Sequence, residues 1–402
     1  MTSRRSVLGA VPLAVGALPF TGGAAWAAQG RRISRDLRPG GAFDRYIKEL
    51  AGKDEFSGTV LLAHRGRPVL TRSYGMADRE RGIPNRHDTV YALASTSKVF
   101  TGLAAVHLAQ RGKLHFYDTV GTHLKGLPKD IADHVNVHHL LTHTAGLGDA
   151  RRPGEEPPRE EVFDNYEDQM AAFWKNVREY ELEFTPGTRK AYSSMGYTLL
   201  GELIAKVAGM PFQEYVRKHI FLPARMTGAG YYNRAQWLSD KRIAHPYMYQ
   251  KDGSRVDAVR NLDKGAVYGD AGGGSNSARN WMGTGGGNGF ASALDMLRFS
   301  VAVRRGTLLS RPFHELYVNG KISAPPLRPS DDPKRGEGFH AYGPAVSLYD
   351  GERVITHGGG AGGISTNWSV YLDLDWSATI LCNYDLRSIE PIIALERRLV
   401  TA

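Results

Sequence analysis

Ser95 and Lys98 stand three residues apart in YALASTSKVFTGLAAVHLAQRG, residues 91–112. A serine hydroxyl becomes a nucleophile when a base takes its proton, and an amine held beside it can be that base. The same residues also have an ordinary reading, a serine cap followed by a lysine that reaches solvent along its own stem. With 23 serines and 15 lysines in 402 residues, a Ser-x-x-Lys arises roughly once by chance.

The context supplies a physical reason to look further. Residues 99–109, VFTGLAAVHLA, are almost wholly apolar, as in a helix buried on all sides, and Gly112 provides a stop. Ser95 and Lys98 then fall in its first turn at i and i+3, on one face. An ammonium there meets the positive end of the helix dipole and loses hydration, and both effects favour the neutral amine. From this segment alone, cap and nucleophile stand level.

Other stretches suggest different chemistry. HVNVHHLLTHTAG places His134, His138, His139 and His143 at spacings that suit zinc on a helix. It lacks a His-Glu-x-x-His arrangement, and no metal is assigned. GGGAGG, residues 358–363, satisfies G-x-G-x-x-G but runs into the strand-like ISTNWSVYLDL, so no helix N-terminus follows to hold a dinucleotide. There is no G-x-S-x-G nucleophile elbow.

The elements that must position these residues are legible in outline. SGTVLLAHRGRPVLTRSYG, residues 57–75, has two β-prone runs around a turn and predicts a hairpin, preceded by a helix over Phe43–Leu50. GPAVSLYDG, ERVITHG, TNWSVYLDLD and WSATILCNYD predict further strands, and a closing helix is expected from about Ile389 to Val400. Between them, helices are expected over Thr96–Arg111, Val137–Leu141, Gln169–Tyr180, Gly196–Val207 and Phe212–Ile220. The fold class is α/β (α+β): an antiparallel sheet flanked by N- and C-terminal helices, with an inserted, mostly helical lobe and the active site in the cleft between. The α/β lobe is drawn from about 40–90 and 290–402, the helical lobe from about 91–289. Residues 148–168, charged and Pro-rich, and 265–289, rich in Gly, are surface linkage or cleft walls. Phe163, Tyr166, Phe173, Trp174 and Tyr180 belong by default to the helical core; the sharper reading makes them a lid over an apolar acyl pocket.

Four segments in order, STSK at 95–98, LLTHTAGL at 140–147, YSSMGYTLLGELI at 192–204 and HGGG at 357–360, resemble the penicillin-recognising serine hydrolases, the β-lactamase and DD-peptidase superfamily. The likeness runs from about residue 40 to the C-terminus, and more narrowly the chain is similar to the branch that includes the AmpC-type β-lactamases, the R61-type DD-carboxypeptidases and the EstB-type esterases. It implies Ser95 as nucleophile, Lys98 as its base and Tyr192 as proton shuttle to the leaving group. It places His357, Gly358 and Gly359 on the strand lining the cleft, and makes the backbone N–H groups of Ser95 and Gly360 the oxyanion hole. His143 then packs beneath the site. Two residues depart from the pattern. Ser194, a substrate-binding position, stands where the family has Asn and lacks its paired donor and acceptor. His357 stands where β-lactamases have Lys, so a substrate carboxylate loses a permanent cation unless Arg189 supplies one.

The resemblance thus implies a serine hydrolase cleaving an ester or amide, of small-molecule or peptide acyl substrates, with no cofactor. Acyl transfer to an amine or alcohol, DD-carboxypeptidase or β-lactamase activity, and a non-catalytic penicillin-binding sensor are the alternatives. Ser3-Arg4-Arg5, the apolar run Val7–Phe20 and Ala25-Trp26-Ala27 resemble a Tat-type signal over 1–27, followed by a linker over 28–39, which predicts export to an extracellular, periplasmic or cell-wall location. That run is too short for a stable membrane anchor. A single cysteine permits no internal disulfide. The net charge of +10 is scattered without a basic stripe, which gives no support to nucleic-acid binding.

Overall fold

The computed structural model describes residues 33–148, 161–267, 274–280, 282–324, 335–385 and 389–402. The signal stretch 1–27, the first part of the linker and parts of both long loops lie outside the described residues. Within the expected linker, Arg35–Leu37 form a 3-10 turn capped by Ser34, and Leu37 is buried.

Two apolar runs separated by Arg65 and Gly66 fold into the first hairpin, β1 (Gly58–His64) and β2 (Arg67–Tyr74). Both turn residues have positive φ, 52° and 75°, the type I′ geometry whose twist matches that of the strands. The C-terminal third supplies β3 (Ile322–Ser323), β4 (Arg335–His340), β5 (Ala345–Tyr349), β6 (Glu352–Ala361), β7 (Ile364–Tyr371) and β8 (Trp376–Cys382). All eight join one antiparallel sheet in the order β2-β1-β8-β7-β6-β5-β4-β3. The first hairpin therefore pairs with the last strand, Gly58 opposite Cys382 and His64 opposite Trp376.

The helices that matter for the site are α1 (Ala42–Gly52), α2 (Lys98–Gln110), α3 (Val137–Thr142), α4 (Tyr166–Arg178), α5 (Ser194–Ala208), α6 (Ala293–Arg304) and α7 (Glu390–Thr401). Strands β7 and β8 are buried at every position, which requires cover on both faces. Trp368 and Tyr371 on β7 are an odd number of residues apart and point to opposite faces. Trp368 Nε1 donates to Ser300 Oγ of α6 at 2.8 Å, and Tyr371 Oη donates to Glu396 Oε1 of α7 at 2.7 Å.

Glu396 is fully buried, and burial raises its carboxyl to about 7, against the opposing effects of the Tyr371 hydrogen bond and the Arg397 charge. The unfolded carboxyl ionises near 4.5, so the native state alone must hold the proton as pH rises. Stability is full below that value, falls until about pH 7 and is then constant, with a total loss of roughly 3 kcal/mol. Glu396→Gln is accordingly expected to raise the melting temperature clearly at pH 8 and little at pH 4.5. Equal shifts in thermal melts at both pH values would contradict this.

On the helical side α2 is buried around nearly its whole circumference, with Phe100 edge-on to Phe221 and Phe299 at centroid distances of 5.0 and 4.9 Å. The helix expected from Thr96 starts differently: Ala94–Ser97 form a 3-10 turn, and the α-helix begins at Lys98. Ala94 holds a left-handed φ of 45°, and Ser97 Oγ bonds back to Ala94 O at 2.7 Å, which tightens the turn. The helix expected to end at Ile220 becomes a π-helical turn over Arg217–Phe221. Val90–Ala92 pairs with Phe290–Ser292, and Tyr247–Tyr249 with Arg255–Asp257, so the mostly helical middle also carries short strands. Among the described residues no helix is long and apolar enough to cross a membrane.

Candidate active site

Ser95 sits inside the 3-10 turn and caps no helix; that position precedes Lys98 and belongs to Ser97. Lys98 is fully buried, and its Nζ lies 3.0 Å from Ser95 Oγ, 3.2 Å from Ser194 Oγ and 2.5 Å from Gly286 O. These partners are two hydroxyls and a carbonyl, with no carboxylate among them. The amine is held from three separate stretches of chain with one contact on the hydroxyl it would deprotonate.

The Gly286 carbonyl is a contributor that motif reading missed. Its loop lies flat on α5: a Cβ at Gly286 would come within 2.4 Å of Thr198 Oγ1 and 2.7 Å of Ser194 O. Thr101 Oγ1 of α2 donates to the neighbouring Gly285 O at 2.8 Å. The glycine run at 285–287 was the available signal, because a backbone approaches a lysine between two helices this closely where side chains are absent.

Strand β6 is stitched to the turn that carries Ser95. Thr96 Oγ1 lies 3.2 Å from His357 O and 3.0 Å from Thr366 Oγ1, which itself lies 3.0 Å from Leu93 O, so the two hydroxyl protons are shared over these three contacts. A Cβ at Gly359 would lie 2.2 Å from Leu93 O and 3.0 Å from Thr96 N, so glycine is what permits this approach. Gly358, by contrast, has room for a side chain. His357 is buried, and its Nδ1–H donates to Gly358 O at 2.7 Å. Burial first, and then the Lys98 charge, lower it to about 4 against that hydrogen bond, so the ring is neutral at pH 7.

Tyr192 immediately precedes Ser193, the α5 cap whose Oγ accepts from Gly196 N at 2.7 Å. Its ring centroid is 4.9 Å from Lys98 Nζ. His143 holds it there: Ser193 N donates to His143 Nδ1 at 3.1 Å, and the imidazole packs against Tyr192 and Tyr197 at 4.6 and 4.8 Å. Burial and the surrounding bases His340, Lys98, His357 and Lys190 keep His143 well below the ordinary histidine range. His143 has a left-handed φ of 60°, so the helical spacing from His139 does not continue to it. His138 pairs with Tyr342 Oη at 2.9 Å, and His139 Nδ1 accepts from Asn136 N at 3.3 Å. Arg189 is exposed against Phe184, with its guanidinium carbon 4.7 Å from that ring centroid.

Ser95, Ser194 and Gly360 line one cavity of about 290 Å³, together with Ala94, Gln169, Met170, Phe173, Thr198, Asn280 and Asn288 among others. Tyr192, His357, Gly358, Gly359 and Arg189 are not among its lining residues. Of the five aromatics considered as a lid, Phe173 lines the cavity. Tyr166 Oη instead donates to Glu202 at 3.1 Å, Trp174 packs on the helical core and Tyr180 Oη donates to Gly148 O at 3.0 Å.

Residues 43–400 match the family described as Beta-lactamase. The chain is 28% identical over 280 residues to the putative penicillin-binding protein PbpX of Bacillus subtilis (strain 168), covering 69% of this chain and 62% of that one, so it spans less than two thirds of PbpX. It is 30% identical over 214 residues to esterase EstB of Burkholderia gladioli, covering 51% of this chain and 53% of EstB. Among solved structures it resembles the penicillin-binding protein from Bacillus halodurans with a TM-score of 0.70 and 25% identity, covering 88% of this chain and 99% of that one.

Proposed function

Because the chain belongs to the Beta-lactamase family and its relatives include an esterase and a hydrolase with acyltransferase activity, we propose that it cleaves an ester or amide lacking a free carboxylate through an acyl-enzyme on Ser95. The observation that carries this reading is the buried Lys98 Nζ at 3.0 Å from Ser95 Oγ.

Ser95 Oγ adds to the acyl carbon while its proton passes to Lys98 Nζ. The carbonyl electron pair moves onto oxygen, where the N–H groups of Ser95 and Gly360 hold it; such a donor is worth about 10²–10³ in rate. The C=O bond re-forms as the bond to the leaving oxygen or nitrogen breaks, and that atom takes its proton by way of Tyr192. Water then adds to the acyl-Ser95 ester, the acyl–Oγ bond breaks, and the hydroxyl regains its proton.

The preference against carboxylate-bearing substrates rests on three residues. His357 is neutral at pH 7, Ser194 is engaged with Lys98, and Arg189 is turned to Phe184. The esterase name of EstB agrees with the same preference. The twin-arginine start and small-x-small site support export of the folded enzyme.

Initial rates on p-nitrophenyl butanoate, a chromogenic cephalosporin and a D-Ala-D-Ala peptide test the substrate class. The ester is expected to exceed both others in kcat/KM by at least about tenfold, roughly the worth of one lost ionic contact. Faster turnover of the cephalosporin or the peptide would overturn the assignment.

A further inference from the structure

A single residue brackets Tyr192. His143 is the C-terminal cap of α3; its carbonyl accepts from Ala191 N at 2.9 Å and its Nδ1 accepts from Ser193 N at 3.1 Å. The residues on either side of Tyr192 are thus tied to the same histidine. Its ring packs on two tyrosines, 4.6 Å from Tyr192 at an interplanar angle of 30° and 4.8 Å from Tyr197 at 28°. Tyr197 anchors that stack, because it is fully buried on α5 and its Oη donates to Leu141 O of α3 at 2.9 Å. Tyr192 itself is 39% exposed, and its hydroxyl has no hydrogen bond to another described residue. Its place beside Lys98 therefore rests on contacts that His143 supplies.

The fold holds this residue in a costly state. His143 is buried and has a left-handed φ of 60°, a conformation uncommon outside glycine. Because Nδ1 accepts, the ring proton sits on Nε2, which is buried without a hydrogen-bond partner. The ring of His340 stands edge-on to the imidazole, with centroids 5.2 Å apart. A charged imidazole would carry a proton on Nδ1 as well and could not accept from Ser193. Burial, and then the charges of His340, Lys98, His357 and Lys190, exclude that form at neutral pH. A left-handed backbone and an unanswered buried N–H both cost stability, and their meeting at one residue beside a reacting group points to a task beyond packing.

We propose that His143 is a positioning residue for proton delivery: its carbonyl, Nδ1 and ring hold the Tyr192 hydroxyl where it protonates the leaving atom, so that His143 serves the departure of basic leaving groups and matters little for acidic ones. The proposal rests on the acyl-Ser95 reading above and adds the residue on which its proton shuttle depends. In acylation the bond from the acyl carbon to the leaving oxygen breaks with its electron pair on that oxygen. An alkoxide must be met there by a proton, the one that Lys98 took from Ser95, passed on through Tyr192. A p-nitrophenolate is weakly basic and leaves without it. A displaced Tyr192 therefore slows alkyl esters far more than p-nitrophenyl esters, whereas a histidine needed only for folding would lower both in the same proportion.

Two butanoates with the same acyl group test it, the p-nitrophenyl and the trifluoroethyl ester, both followed by acid release. The ratio of their kcat/KM values, p-nitrophenyl over trifluoroethyl, is insensitive to how much of a variant folds. His143→Ala, and His143→Leu, which fills more of the space, are each expected to raise the ratio by about tenfold or more, part of the roughly 10²–10⁴ that a positioned acid supplies. His143→Asn offers Oδ1 to Ser193 N and tolerates the left-handed backbone, so its ratio should stay within about threefold of the wild type. In a Tyr192→Phe background, His143→Ala should move the ratio by less than about twofold, because no hydroxyl remains to be placed. An unchanged ratio in His143→Ala and His143→Leu, or the same rise with and without the Tyr192 hydroxyl, overturns the proposal. Two further variants separate the levels. If Ser95→Ala abolishes turnover, the acyl-enzyme reading stands whatever the ratios, and if turnover survives, both fall. If Tyr192→Phe leaves the ratio at its wild-type value, the shuttle role of Tyr192 falls and the proposal with it; if Tyr192→Phe raises the ratio and the His143 variants do not, the proposal falls alone.

Discussion

Ser95→Ala is expected to lower kcat/KM toward p-nitrophenyl esters by about 10³–10⁶, the range seen when the nucleophile is removed from a covalent mechanism, while leaving the fold intact. Among the described residues the side chain makes one hydrogen bond to another side chain, that from Lys98, and the amine keeps Ser194 and Gly286 when Oγ is gone. Removing one hydroxyl from a cleft wall should therefore change stability by no more than about 1 kcal/mol. Paired kinetics and thermal melts check both halves. A variant that retains a tenth or more of the wild-type kcat/KM contradicts the assignment of the nucleophile.

The second large effect is at Lys98. Lys98→Ala is expected to reduce turnover by about 10²–10⁴, the usual worth of a positioned base, and to leave room where the amine stood. Small primary amines added to the solution should then restore activity in proportion to their basicity. A merely structural lysine would give a different pattern, a falling melting temperature with no rescue. Lys98→Met separates packing from chemistry, since it fills similar volume without the amine. Its melting temperature should stay within several degrees of the wild type: Gly286 O loses a donor, but the fold no longer buries an amine lacking a carboxylate partner. Activity rescued in the alanine variant and absent in the methionine variant would identify Lys98 as the base. Full activity in Lys98→Met would remove it from the mechanism.

The parts of this site legible in the sequence are those set by short-range geometry. Ser95 and Lys98 belong to one turn, so their contact follows from three residues of spacing, and the β1–β2 hairpin follows from a turn that Arg65 and Gly66 can adopt. The eight-stranded sheet was visible as β-prone runs at both ends of the chain, although its order depends on pairing Gly58 with Cys382 across the whole sequence. The 3-10 start of the Ser95 segment was not legible, because Ala94 is held at positive φ by tertiary packing and not by its own preference. Gly286 was hidden for a related reason. Its carbonyl meets Lys98 from 188 residues away, and a backbone atom leaves no residue type to recognise. His143 shows the converse: its spacing from His139 suited a shared helical face, but the left-handed backbone at that residue takes it off the helix and under Tyr192.

The central claim, that Ser95 is the atom acylated, is tested most directly by intact-mass measurement after treatment with a fluorophosphonate, followed by mapping of the modified peptide. The account predicts a single adduct on the peptide containing Ala94-Ser95-Thr96-Ser97 with Ser95 as the modified residue, and no adduct in Ser95→Ala under the same conditions. An adduct on Ser97, Ser194 or Tyr192, or one that persists in Ser95→Ala, would contradict it.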